Sequence, residues 1–186
     1  MKNVGYEVEV GFYIVDLTKR KVIHFIDLPS NPFGITFNGT SLICCVSFED
    51  IHVISCKDYS ISTIPNTFTN EASYVSTHDD KIFYTKPEQN KVVCCFFDGT
   101  PAWVFQDKTN LEYPQGITVD KQGNVFVVGF DSSNVLVLSS DGKHCKQILT
   151  KEDGHKLPYA IFNDKIKNQL LVTAGPFAYL YNISYL

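Results

Sequence analysis

Two histidines lie beside charged residues and are the side chains best suited to acid–base chemistry. His78 precedes Asp79-Asp80, and His144 follows Lys143 in a predicted turn. A general base needs a partner within hydrogen-bond reach, and this spacing does not supply one. The Gly-x-Ser-x-Gly pattern of many serine hydrolases does not occur in the sequence either. We therefore predict no catalytic residue and interpret both histidines as residues of surface turns.

The six cysteines include two adjacent pairs, Cys44-Cys45 and Cys94-Cys95, and none forms a Cys-x-x-Cys pattern. Both pairs fall in predicted strands, where neighbouring side chains point to opposite faces. Since a structural zinc site needs ligands that converge, we predict neither a metal site nor a cofactor. Packed, reduced thiols are the expected state, and they are typical of a reducing compartment.

The elements that carry these residues repeat along the chain. The phrase Pro114-Gln115-Gly116-Ile117-Thr118 has an earlier copy, Pro32-Phe33-Gly34-Ile35-Thr36. Weaker copies begin at Ala72 and Pro158, so successive copies start 40 to 44 residues apart. A period of roughly 40–45 residues is typical of one four-stranded blade of a β-propeller.

Turn signals divide each copy into short strands. In the clearest copy, Asp141-Gly142 marks the hairpin before the last strand, because Asp-Gly tolerates the positive φ that such turns need. The same signals predict three complete blades, at 31–66, 71–107 and 113–150. Partial blades flank them, with strands at 12–17 and 22–26 before and at 159–162, 169–173 and 177–183 after.

These segments amount to roughly 17 strands, whereas closed rings of four-stranded blades need multiples of four. We predict an all-β propeller of antiparallel blades with about four blades present, an incomplete segment of a six-bladed ring. The chain is interpreted as one domain, 1–186. It comprises a partial blade at 1–30, full blades at 31–70, 71–112 and 113–156, and a partial blade at 157–186. Its open strand edges are expected to pair with missing blades or to self-associate.

Composition narrows the class of partner and the compartment. The net charge is −4, which does not favour phosphate binding by the chain as a whole, because nucleic-acid-binding domains usually carry a basic face. No apolar run approaches the roughly 18 residues of a membrane-spanning helix. The first residues, Met1-Lys2-Asn3-Val4-Gly5-Tyr6-Glu7, lack the apolar core of a signal peptide. A cytoplasmic protein without a membrane partner is the simplest interpretation.

The clearest repeat resembles the NHL repeat in its Pro114-x-Gly116-Ile117-x-Val119-Asp120-x-x-Gly123-Asn124-Val125 phrase and in Asn134-Val135-x-Val137-Leu138-x-x-Asp141-Gly142. The order of the copies and the ending Tyr179-Leu180-Tyr181-Asn182-Ile183 resemble the C-terminal propeller of tripartite-motif proteins. The resemblance implies a propeller that recruits protein or RNA. Ubiquitin-ligase activity would then belong to a RING domain, and this chain has no such Cys/His module.

Loops after each fourth strand and loops between second and third strands are expected to open on one side of the propeller. Aromatic residues interspersed with polar ones suit a binding patch, and the candidates are Asn31, Phe33, Phe48, Glu49, Lys86, Glu88, Tyr113, Gln115, Phe130, Asp131, Tyr159 and Phe177. We predict a non-enzymatic module that binds a protein partner and recruits substrates for a tripartite-motif-like ligase.

Two alternatives to this function stay open. One is an RNA-binding propeller, which would need a continuous Lys/Arg patch on one face. The other is a metal-dependent hydrolase or lyase on a six-bladed frame. For the latter, the residues expected at the inner ends of the blades are Thr36, Ser76, Thr118 and Phe162. These are not the carboxylates that a hard metal ion prefers.

Overall fold

A computed structural model describes residues 9–154 and 156–183, and within them the regular structure is almost entirely β-strand. The seventeen strands are β1 (Gly11–Asp16), β2 (Lys21–Asp27), β3 (Pro32–Phe37), β4 (Ser41–Val46), β5 (His52–Ser55), β6 (Ile61–Thr63), β7 (Val75–His78), β8 (Lys81–Lys86), β9 (Lys91–Phe96), β10 (Pro101–Gln106), β11 (Pro114–Val119), β12 (Val125–Gly129), β13 (Asn134–Leu138), β14 (Cys145–Leu149), β15 (Pro158–Asp164), β16 (Gln169–Ala174) and β17 (Phe177–Asn182). Two single-turn 3-10 helices, Pro87–Gln89 and Lys151–Asp153, lie in connections between strands. No helix among the described residues is long and apolar enough to cross a membrane.

The strands form five antiparallel sheets in a propeller arrangement, which confirms the predicted fold class. Three sheets have four strands each in chain order, β3–β6, β7–β10 and β11–β14. A two-stranded sheet, β1–β2, precedes them, and a three-stranded sheet, β15–β17, follows. Residues 1–8, 155 and 184–186 of the predicted blades lie outside the described residues.

The first strands of four successive sheets, β3, β7, β11 and β15, line one central channel. The repeated glycine is required there because neighbouring first strands approach very closely. A Cβ placed on Gly116 would lie 2.8 Å from the Cα of Ala160, and one on Gly34 would collide with the Cα of Tyr74. The Gly34 N–H also donates to the Ser73 carbonyl across the junction, at 3.0 Å. The Gly-Ile-Thr phrase is thus a packing signature of the blade-to-blade contact.

The three four-stranded sheets bury side chains on both faces, because neighbouring side chains of a strand point to opposite faces and each of these sheets packs between two others. Cys44 packs towards β1–β2 with Ile26, whereas its neighbour Cys45 packs towards the next blade with Ile82. Cys94 and Cys95 divide in the same way between two junctions. Burial raises the pKa of the Cys44 and Cys94 thiols to about 12. The expectation that adjacent cysteines point apart is therefore confirmed.

Apolar side chains are exposed at the two ends of the series of sheets, at repeat positions that are buried in the central blades. Ile35 and Ile117 occupy the same repeat position, yet Ile35 is 49% exposed and Ile117 only 6%. The reason is that, within residues 9–154 and 156–183, the sheet before Ile35 has two strands, and no inner strand of that sheet covers Ile35. At the other end, Phe162 and Leu180 are 60% and 62% exposed. Pairing or self-association of these ends stays a prediction.

Candidate partner-binding face

The chain reversals fall into two sets at opposite ends of the strands. The loop face consists of the connections 28–31, 47–51, 64–74, 87–90, 107–113, 130–133, 150–157 and 175–176. The opposite face consists of the connections 17–20, 38–40, 56–60, 79–80, 97–100, 120–124, 139–144 and 165–168. Loops after fourth strands and loops between second and third strands share the loop face, as the sequence predicts.

Hydrogen bonds between neighbouring connections link the loop face from blade to blade. The Ser47 N–H donates to the Asn31 carbonyl at 2.9 Å, and the Phe48 N–H donates to the Thr69 carbonyl at 2.9 Å. Further along, the Tyr113 N–H donates to Asn90 Oδ1, also at 2.9 Å. These bonds fix the connections relative to one another although they are far apart in sequence.

The connection 64–74 holds the first part of this face in place mainly through threonines. The Thr69 N–H donates to the Glu49 carbonyl at 2.8 Å, and its buried hydroxyl donates to the Val46 carbonyl at 2.8 Å. The Thr67 N–H donates to Asp50 Oδ1 at 2.8 Å. Phe48 is held with φ at 59°, an unusual conformation for a bulky side chain. The backbone therefore fixes Phe48 with more than half of its side chain exposed.

Around the third blade, the face is built from the connections 107–113 and 130–133. The Phe130 N–H donates to the Tyr113 carbonyl at 3.1 Å, and the Asp131 N–H donates to the Glu112 carbonyl at 3.2 Å. The rings of Tyr113 and Phe130 pack against each other with centroids 6.2 Å apart. Both rings are half-buried, so they serve packing as well as any contact with a partner.

The last part of the face lies between the third blade and the terminal sheet. Thr150 caps the short 3-10 helix, since its hydroxyl accepts from the Glu152 N–H at 3.1 Å. The Leu157 N–H donates to Ser133 Oγ at 3.3 Å. The Tyr159 hydroxyl donates to the Gly175 carbonyl at 3.4 Å. These bonds connect the terminal sheet to the same continuous surface.

All twelve residues predicted for the binding face lie in these connections or at the adjoining ends of strands, and none is fully buried. Seven are exposed: Asn31, Phe33, Phe48, Glu88, Asp131, Tyr159 and Phe177. Five are half-buried: Glu49, Lys86, Tyr113, Gln115 and Phe130. Their role in binding stays a prediction.

Two residues differ from the predicted binding face: Lys86 was predicted and is partly enclosed, and Phe68 was not predicted and is exposed. Lys86 Nζ lies 5.6 Å from the centre of the Tyr84 ring. Burial, together with the nearby charge of Lys91, lowers the pKa of Lys86, so this ammonium is partly enclosed. Phe68 is 49% exposed in the connection 64–74, beside Thr69, and the sequence did not single it out. The sequence gave little reason to select Phe68, because the connection 64–74 matches the repeat poorly.

The central channel forms a cavity with a volume of about 490 Å³. Thr36, Ser76, Thr118 and Phe162 all line it, as expected of inner-strand residues. Thr118 Oγ1 accepts from the Asn163 N–H at 3.1 Å, so this hydroxyl contributes to packing. Among residues 9–154 and 156–183, no group of three or more His, Cys, Asp or Glu side chains could hold a metal ion.

The histidine positions require one correction. His78 is the last residue of β7 and not a turn residue, because it still pairs with Lys81 across the hairpin. Its Nε2 lies 3.4 Å from the carboxylate of Asp79, most of which is exposed. His144 lies in the connection between β13 and β14, as predicted. The His144 N–H donates to Ser139 Oγ at 3.0 Å, so this contact is made by the backbone of His144.

No protein family matches the sequence, and no curated protein matches it either. Solved structures resemble it in fold. The nidogen of a nidogen/laminin complex matches with a TM-score of 0.78 at 19% identity, covering 94% of this chain and 72% of that chain. Virginiamycin B lyase from Staphylococcus aureus matches with a TM-score of 0.60 at 19% identity, covering 90% and 61%.

A streptogramin B lyase matches similarly, with a TM-score of 0.63 at 18% identity, covering 90% of this chain and 60% of that chain. The chain thus spans only about three fifths of the lyases it resembles. At sequence identities this low, the similarity shows the fold and not the activity. The matched structures include both a laminin-bound protein and lyases. The chain has the fold of a β-propeller.

Proposed function

We propose that the protein is an interaction module that binds a protein partner through its loop face. The observation that carries the proposal is the group of exposed aromatic side chains, Phe33, Phe48, Phe68, Tyr159 and Phe177, on one hydrogen-bonded surface. Exposed aromatic residues on fixed backbone lose little conformational entropy on binding and are enriched among residues that dominate interface energy. The propeller fold and the similarity to a laminin-bound nidogen propeller support the same function.

The finer proposal follows from the resemblance to NHL repeats and tripartite-motif proteins. In that setting, the loop face would select a substrate, and a RING domain would transfer ubiquitin to it. The chain's part would be recognition alone. A fusion of the chain to a RING and coiled-coil module should ubiquitinate whatever protein the loop face binds. A fusion that binds this protein and leaves it unmodified would contradict the ligase role and keep the binding role.

Protein binding can be tested with a matched pair of surface variants. Phe48→Ser combined with Phe68→Ser removes two aromatic rings from the loop face. Leu17→Ser removes a side chain that is 84% exposed on the opposite face. A protein retained by the wild-type chain should be retained equally by the control. We expect its Kd for the double variant to rise about tenfold or more. An equal affinity for all three chains would overturn the proposal.

A metal-dependent lyase is the second candidate, because the matched structures include lyases. Its site would lie in the central channel, which Thr118 and Asn163 line. The test is turnover of a streptogramin B substrate by the purified chain with and without added divalent metal ions, alongside elemental analysis for a bound metal. Metal-dependent turnover would establish the lyase. Absence of turnover with fully folded chain would remove it.

A further inference from the structure

Carboxylates lie in six of the eight connections of the loop face. Each of the six successive connections from 47–51 to 150–157 carries at least one exposed or half-exposed acidic side chain: Glu49, Glu71, Glu88, Glu112, Asp131 and Glu152. Hydrogen bonds link these connections in order, including one from Asn70 in 64–74 to Glu88 in 87–90, so the six acidic residues mark one path of linked connections over three blades.

These six carboxylates are not used to stabilise the turns that carry them. Glu88 accepts a hydrogen bond from the Asn70 amide at 2.6 Å. The other five make no side-chain hydrogen bond or ion pair with another described residue. The three remaining acidic residues of the loop face behave differently, since Asp50, Asp107 and Asp153 each accept from a backbone N–H.

Basic side chains do not balance this surface. The connections of the loop face hold nine acidic residues and three lysines, whereas those of the opposite face hold six acidic residues and seven Lys or Arg. The ion pairs Asp16–Lys19 and Asp141–Lys143 and the contact between His78 and Asp79 lie at the opposite face. Lys86 and Lys91 flank the connection 87–90 and add two positive charges at the edge of the face, so acidic residues still outnumber basic ones there and the loop face carries a net negative charge.

Aromatic rings accompany the carboxylates at two equivalent places. Phe48 directly precedes Glu49, and Phe130 directly precedes Asp131, each in the loop between the second and third strands of its blade. A guanidinium group can stack on such a ring while it hydrogen-bonds to a neighbouring carboxylate. The combination favours cationic side chains, and it disfavours phosphate, which the same carboxylates would repel.

We propose that the element of the partner that binds the loop face is a Lys/Arg-rich extended protein segment. It lies along the path of the six carboxylates, with its cationic groups between the successive connections. This inference rests on the proposed function, because it names the chemistry of the partner that the loop face binds. Complementary charge of this kind speeds association and makes binding sensitive to salt.

The experiment is a selection of random dodecapeptides displayed on phage, carried out on the immobilised full chain at low ionic strength. We expect the selected peptides to be enriched in Lys and Arg. Raising NaCl from 0.1 to 0.5 M should weaken the binding of these peptides about tenfold. Glu112→Lys should weaken their binding by a similar factor. Asp80→Lys is the matched control on the opposite face, because Asp80 is exposed and makes no hydrogen bond or ion pair among the described residues.

The possible outcomes distinguish a failure of the basic-segment proposal from a failure of the proposed binding function. Basic peptides sensitive to Glu112→Lys and indifferent to Asp80→Lys would support both. Neutral or acidic peptides that depend on Phe48 would overturn the basic segment and keep the loop face as a binding surface. Peptides that respond to neither Glu112→Lys nor Phe48→Ser would overturn both. Tighter binding of a single-stranded oligo(U) than of any selected peptide would also overturn the inference.

Discussion

On the opposite face, four of the six acidic side chains in the connections accept hydrogen bonds from backbone N–H groups: Asp58, Asp98, Asp120 and Asp141. On the loop face, three of nine do so, and five make no side-chain hydrogen bond or ion pair among the described residues. Aspartate serves a turn well because its short side chain reaches the backbone two residues on. The comparison teaches that similar charges are placed differently on the two faces: most carboxylates of the opposite face stabilise turns, whereas most of those on the loop face stay available for the proposed partner.

The largest expected effect concerns Asp120, the one fully buried carboxylate of the opposite face. Its Oδ1 accepts from the N–H groups of Gln122 and Asn124 at 2.9 and 2.8 Å, and its Oδ2 accepts from the Asn124 amide at 2.8 Å. Asp120→Ala leaves these donors without their partner and should lower the free energy of unfolding by about 3 kcal/mol. Urea denaturation measures this loss.

Glu112→Ala is the control for that experiment on the loop face. Its side chain is exposed and makes no hydrogen bond or ion pair with another described residue, so the change in the free energy of unfolding should stay within about 0.5 kcal/mol. Equal losses for Asp120→Ala and Glu112→Ala would break the distinction between the two faces.

A second prediction tests a hydrogen bond of the loop face that does not involve a carboxylate. The Thr69 hydroxyl is buried and donates to the Val46 carbonyl at 2.8 Å. Thr69→Val keeps the shape and removes this hydrogen bond, so the free energy of unfolding should fall by about 1.5 kcal/mol. A variant as stable as the wild type by thermal and urea unfolding would show that other contacts hold this connection.

Acid unfolding gives a third, smaller effect. A hydrogen bond from the Thr100 N–H lowers the pKa of Asp98, and one from the Ser139 hydroxyl lowers the pKa of Asp141. Since these folded-state pKa values lie below the unfolded ones, the stabilisation is complete above the unfolded pKa and is lost as pH falls through the folded pKa. Asp98→Asn should therefore lose less stability than the wild type between pH 5 and pH 3. Parallel profiles of the free energy of unfolding against pH for the wild type and Asp98→Asn would contradict a stabilising role of the Asp98 carboxylate.

The smallest effect is expected on the loop face itself. Glu71→Lys replaces an exposed carboxylate in a region rich in negative charge. Relief of repulsion should raise the free energy of unfolding by about 0.3 kcal/mol at low salt, and the gain should shrink as salt screens it. A loss above about 1 kcal/mol would mean that this carboxylate supports the fold.

Much of the fold could be predicted because its signals are local. Strands such as β4 (Ser41–Val46) coincide with the prediction, and Gly99 and Gly142 adopt the positive φ that their Asp-Gly turns imply. The close approach of Gly116 to Ala160 could not be predicted, because it depends on a strand more than forty residues away. The exposure of Ile35, in contrast with the burial of Ile117, likewise depends on which neighbouring strands are present.

The candidate face was only partly predictable for the same reason. The topology correctly placed loops such as 47–51 and 130–133 on one side. The sequence did not indicate that Phe130 packs on Tyr113, or that Phe68 is exposed beside Thr69. It also gave no sign that Glu71, Glu112 and Glu152 continue the path begun by Glu49, because each lies in a different connection. Hydrogen bonds between distant connections set that arrangement.

Amide hydrogen exchange of the chain, with and without the partner retained in the binding experiment, tests the central claim most directly. We predict that the partner slows exchange in the connections 47–51, 87–90, 107–113 and 130–133 and leaves 56–60, 97–100 and 139–144 unchanged. Protection confined to the opposite face, or to the end strands β1 and β17, would contradict the assignment of the loop face as the binding surface.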